Sequence, residues 1–155
     1  MRDFSEADRE QKKKERRVLP ENPAELPPEK LADLEENIKS ALENGYLSCP
    51  VAWSIAKREG VPKIAVGAIT DKLGFRITNC QIGCFKVDKT LYSEPPKDIV
   101  SEELAKTLEE LDREGKLTCE KTFELAKEYD LKPMTLGNEI SARGIKVRQC
   151  QLGCF

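Results

Sequence analysis

Six cysteines carry most of the chemistry open to this chain, and they form two triplets of identical spacing: Cys49, Cys80, Cys84 and Cys119, Cys150, Cys154. In each triplet thirty residues separate the first cysteine from the second, and three separate the second from the third. Thiolates are soft ligands, so all six are candidate metal ligands, for an iron–sulfur cluster or for zinc. Gly83 and Gly153, between the paired cysteines, would let backbone amides turn toward the sulfurs and stabilise their charge. Three sulfurs are one short of the usual four, leaving the fourth ligand to an outside group, an oxygen donor or the other triplet. Two further readings stay open. Cysteine is among the most buried residue types, and Phe85 and Phe155 beside the motif suggest apolar packing. Cys80 and Cys84 could also form a redox-switched disulfide. Cys49 and Cys119 stand where helices are predicted to start, a position that lowers a thiol pKa and favours reactivity. Gln81 and Gln151 recur with the cysteines, and their amides are expected to bond the surrounding loop or a partner.

Histidine is absent, which removes the usual general base and the commonest nitrogen ligand of zinc. No phosphate-binding loop or paired-carboxylate pattern replaces it, so an enzyme is not expected. No apolar run approaches the roughly 20 residues of a membrane helix, and the first residues lack the apolar centre of a secretory signal. A cytoplasmic protein without membrane contact is predicted, in a compartment where structural disulfides are rare. The net charge of −2 hides a pattern. Residues 1–45 sum to −3, 46–87 to +4, 88–115 to about −5 and 116–155 to +2, so basic segments alternate with acidic connectors.

The elements that position the cysteines repeat as well. Residues 46–85 align without a gap on 116–155, an offset of 70, with eleven of forty positions identical. Apolar positions such as Ile55/Leu125, Val66/Leu136 and Ile82/Leu152 stay apolar where they differ, so the chain is a tandem duplication. Four prolines among charge clusters predict a disordered tail over residues 1–29. The first copy, 30–87, is expected to open with a helix to about Asn44, stopped by Gly45. A linker over 88–100 contains Pro95 and Pro96, and the second copy, 101–155, opens with a helix capped by Ser101. Within each copy, Ser48 or Thr118 caps a helix reaching about Glu59 or Tyr129. A second helix spans about Lys63 to Leu73, or Met134 to Arg143, and ends at Gly74 or Gly144. Residues 75–78 and 145–148 then alternate apolar and polar as a half-buried strand would.

The run Ile55-Ala56-Lys57-Arg58-Glu59-Gly60-Val61, with Val66 and Ile69 following, resembles the helix-turn-helix superfamily in its winged form. Asp130 stands at the turn position in the second copy, which is tolerable because Asp visits the left-handed region. The resemblance covers about forty residues per copy. It implies a mainly α fold with short β-strands, built as two tandem helix-turn-helix or winged-helix-like modules, and DNA as a possible partner. The second helix would then read bases, yet Ala65 and Ala68 on its expected outer face discriminate poorly. The candidate nucleic-acid contacts are Lys63, Lys72, Arg76, Asn138, Arg143, Lys146 and Arg148, with phosphate contact favoured at Arg76, Lys146 and Arg148. The expectation is a regulatory nucleic-acid-binding protein with thiol-ligated metal or iron–sulfur sites, sensing redox state or metal. The alternative is an adaptor or accessory subunit that docks on a larger redox protein.

Overall fold

The computed structural model of the protein describes residues 19–85 and 100–155. Residues 1–18 of the tail expected over 1–29, and most of the linker expected over 88–100, lie outside the described residues. Among those described, the fold is mainly helical with one small two-stranded sheet.

Residues 19–27, expected to belong to the tail, are built into the protein. Asn22 brackets Leu26, accepting from its N–H at 2.9 Å and donating to its carbonyl at 3.0 Å, and Leu26 packs on the first hydrophobic cluster. Leu26 and the asparagine that brackets it thus offset what the prolines and charges lack. Helix α1, Pro28–Ser40, starts on Pro28 in its first turn and buries Leu34 and Ile38, one turn apart. It stops short of Asn44. Asn44 and Gly45 both take positive φ, 52° and 79°, and Glu43 and Tyr46 exchange backbone hydrogen bonds across them. This is the Asn-Gly two-residue turn, whose backbone no helix can share.

Strand β1, Tyr46–Ser48, leads into α2, Cys49–Glu59, where the Ser48 hydroxyl accepts from the Val51 N–H at 3.4 Å. Gly60, at φ 64°, ends α2 and a short turn starts α3, Lys63–Lys72. Strand β2, Arg76–Thr78, pairs parallel with β1, Leu47 opposite Ile77. The second copy repeats this order with α4, Glu102–Arg113, α5, Cys119–Glu128, and α6, Pro133–Ala142. Ser101 and Thr118 cap α4 and α5, and Asp130 takes the left-handed φ of 51° that its place in the turn demands. Its strand pair shrinks to one parallel bridge, Thr118 to Arg148.

Among the described residues the strand after α3 is not paired in an antiparallel hairpin; its partner is β1, too short to be legible as a strand in the sequence. Beyond β2, Asn79 at φ 52° turns the chain into the Cys80–Phe85 segment instead.

The two copies are packed through reciprocal contacts. The first cluster joins Leu34, Ile38, Leu47, Ile55, Val66 and Ile69 with Cys150 and Leu152 of the second copy. Conversely, Cys80 and Ile82 of the first copy pack with Cys119, bordered by Phe85, Phe123 and Val147. Each cysteine-bearing turn therefore lies against the other copy. A Cβ on Gly67 would stand 1.8 Å from the Leu152 carbonyl oxygen, and one on Gly137 would stand 1.9 Å from that of Ile82. Trp53 stacks on Phe123 with ring centroids 4.5 Å apart, and Phe85 meets Phe155 edge-on at 6.2 Å. Trp53–Phe123 and Phe85–Phe155 pair positions that the offset of 70 makes equivalent, and the same offset exchanges the Gly67–Leu152 contact with the Gly137–Ile82 one, which is the pattern of an isologous twofold interface within one chain.

This packing moves residues that the helix-turn-helix resemblance placed outside. Ala65 and Ala68, expected on the reading face of α3, are 2% and 3% exposed, and Ala65 through Thr70 are all buried. Small side chains there serve close approach rather than weak base discrimination.

Candidate functional site: two thiolate turns on a shared cavity

Cys80 and Cys150 open the two turns, with Gly83 and Gly153 both at φ 77°. That conformation, costly for a residue with a Cβ, folds the chain so that amides face the sulfur at the turn's start. The Cys80 sulfur accepts the Cys84 S–H and the N–H groups of Cys84, Ile82 and Phe85. Cys150 likewise accepts from the Cys154 S–H and from the N–H groups of Cys154 and Leu152. Donors to the charged form favour it. The Cys84 S–H and these amides outweigh burial and hold Cys80 at about 6, well below an ordinary thiol, and the equivalent donors hold Cys150 at about 7. Cys84 and Cys154 are pushed up, since each gives its proton to the neighbouring sulfur and is partly desolvated. Each turn therefore holds one buried sulfur whose charged form is favoured and one thiol hydrogen-bonded to it, the glycine-turned amides acting as the sequence predicts.

Cys49 and Cys119 behave differently from expectation. Both start helices, yet they are 7% and 6% exposed, and burial pushes the Cys49 thiol up to about 11 and raises Cys119 too. Desolvation outweighs the hydrogen bonds that Gln81 and Gln151 give these sulfurs, so these thiols are not the reactive ones. Their environment explains the recurring glutamines. The Gln81 amide donates to the Cys49 sulfur at 3.5 Å and the Gln151 amide to the Cys119 sulfur at 3.6 Å, while Lys63 donates to the Gln151 carbonyl oxygen at 3.0 Å. Among the described residues no three Cys, Asp or Glu side chains stand as the ligand set of one metal ion. The thiols are drawn together as pairs, Cys80 with Cys84 and Cys150 with Cys154, each beside the cysteine of a helix start.

The basic residues separate into two groups. Lys63 is half-buried over the Trp53 ring, 4.0 Å from its centroid; Lys72 lies 3.6 Å from Glu35; Arg143 pairs with Glu139 at 2.8 Å and Glu109 at 3.4 Å. Asn138 is half-buried beside Gly83. Arg76, Lys146 and Arg148 are exposed. All three line a cavity of about 890 Å³ between the copies, together with Cys84, Cys154, Phe85 and Phe155. The sequence gives no signal for this cavity, because it arises only where the two turns meet.

Comparison with protein-family models, characterised proteins and solved structures finds no match for the chain. Its site is therefore read from its own geometry.

Removal of Cys84 tests the thiolate assignment. Cys84→Ala deletes the strongest single donor to Cys80, so Cys80 should titrate at higher pH than in the parent, followed by thiolate absorbance in the ultraviolet. Cys150 should be nearly unmoved. An unchanged titration of Cys80 would mean that the amides alone, not the pair, hold the charge.

Proposed function

We propose that this protein is a redox-sensing accessory protein, built of two helix-turn-helix-like units, whose Cys80/Cys84 and Cys150/Cys154 pairs cycle between dithiol and disulfide. One observation carries the reading: each turn presents a thiolate held by amides and hydrogen-bonded to a second thiol. A thiolate is the nucleophile of disulfide chemistry, and a neighbouring thiol supplies the second sulfur. Oxidation removes the charge and locks the turn that lies against the other copy, so the redox state of the pairs is felt at the packing between the copies. A docking role accords better with this arrangement than base reading does, since α3 is buried along Ala65–Thr70 and Lys63 and Arg143 are engaged within the chain.

The test is stoichiometric. Mild oxidation of the reduced full chain with a peroxide should consume four thiols and form two disulfides, each within one turn, found by peptide mapping. Cys49 and Cys119 should stay reduced and react only on unfolding. Disulfides between the copies, or a thiol set that resists oxidation while binding zinc or an iron–sulfur cluster tightly, would replace this reading with a structural or metal-ligating one.

A further inference from the structure

The cavity repeats the pseudo-twofold relation of the chain. Its walls are formed by equivalent positions, among them Cys84 and Cys154, Phe85 and Phe155, and the cations Arg76 and Lys146. Arg148 adds a third cation, and Asp71 is the single carboxylate side chain in the lining. None of the three cations is held in an ion pair with a described residue. The edge-on Phe85–Phe155 pair supplies an apolar surface between the two thiol-bearing turns. A site with two thiols, two equivalent cations and an apolar middle matches a ligand with a twofold axis of its own, an apolar centre reactive toward thiols and an anion at each end.

Resting on the redox reading above, we propose that the cavity binds a small symmetric disulfide with a carboxylate on each half, and that this ligand is the oxidant of the pairs. Its carboxylates meet Arg76 and Lys146, and its sulfur–sulfur bond lies over the aromatic pair within reach of Cys84 or Cys154. Cys84 is the exposed member of its pair and Cys80 the buried one, so the order of events follows from access. The two sulfurs share one proton across their hydrogen bond, and in the minor arrangement that places it on Cys80 the accessible Cys84 sulfur attacks one sulfur of the ligand. The ligand's sulfur–sulfur bond breaks, and the first half leaves as a thiolate that takes the proton back from Cys80. Cys80, again a thiolate, attacks the Cys84 sulfur of the mixed disulfide and expels the second half as a thiolate. In balance, the pair loses two electrons and one proton, and the ligand disulfide becomes one thiol and one thiolate.

The probes are dithiodipropionate, a dianionic disulfide, and cystamine, a dicationic one of similar size. Each is added to the reduced full chain, and oxidation is followed by loss of thiols. After division by their rates with a free small thiol, the dianion should react on the order of tenfold faster than the dication at low salt, and the difference should shrink as salt rises. Arg76→Gln with Lys146→Gln, both exposed positions whose loss leaves the core intact, should abolish most of that preference by slowing the dianion and leaving the dication no slower than with the parent chain. Equal normalised rates, or a preference that survives the double substitution, would overturn the cavity proposal and leave the redox reading standing. Failure of both disulfides to oxidise either pair would bring down the redox reading and this proposal together.

Discussion

Gly67→Ala is expected to destabilise the protein by roughly 2 to 4 kcal/mol, lowering its melting temperature by about 10 °C. The added Cβ would stand 1.8 Å from a backbone carbonyl oxygen, that of Leu152, so no side-chain rotation relieves it. Helix propensity works the other way, since alanine is favoured over glycine inside a helix by about 1 kcal/mol, and the clash must exceed that gain. Gly137→Ala should behave alike, its Cβ facing the Ile82 carbonyl. Gly60→Ala is the comparison. It has open space but a φ of 64°, and should cost only about 1 kcal/mol of backbone strain. Thermal unfolding of the three variants decides the matter: Gly67→Ala no less stable than Gly60→Ala would show that the turns do not dock on the helices of the opposite copy.

Leu152→Ala is the second large effect, about 2 to 5 kcal/mol, because the side chain is 1% exposed and its removal leaves a cavity. Its place in the protein makes the consequence non-local. Leu152 belongs by sequence to the second copy but packs with Leu34, Ile38 and Val66 of the first. Hydrogen exchange should therefore quicken in α1 and α2, more than one hundred residues away along the chain from the substitution at its far end in the case of α1. Faster exchange confined to α4–α6 would mean that each copy folds on its own core.

Much of the fold is legible in the sequence because it is local. Ser48, Ser101 and Thr118 cap helices through bonds that span three residues, and Gly60, Gly74 and Asp130 take left-handed backbone where a helix has to stop. The apolar spacing of Leu34 and Ile38, or of Leu104 and Leu108, fixes which helix face is buried. The strand at 76–78 was visible by alternation, whereas its three-residue partner at 46–48 was not, since so short a segment carries no period. The site was half legible. The C-x-x-x-C spacing with a glycine before its second cysteine announces a turn that aims amides at a sulfur, and the structure has that turn in both copies.

The sequence by itself determined the helices and the two cysteine turns, because each depends on residues within a few positions of one another, and the duplication, because forty positions align at one offset without a gap. Only the tertiary structure decided that Cys49 and Cys119 are buried thiols rather than reactive ones, since desolvation depends on what packs around a group and not on where its helix begins. It alone decided that Ala65 and Ala68 are buried and that Gly67 faces the Leu152 backbone instead of solvent, and that Cys84, Cys154, Arg76 and Lys146 share one cavity. Those relations join residues far apart along the chain, and proximity of that kind is fixed by how surfaces fit, which no local spacing encodes.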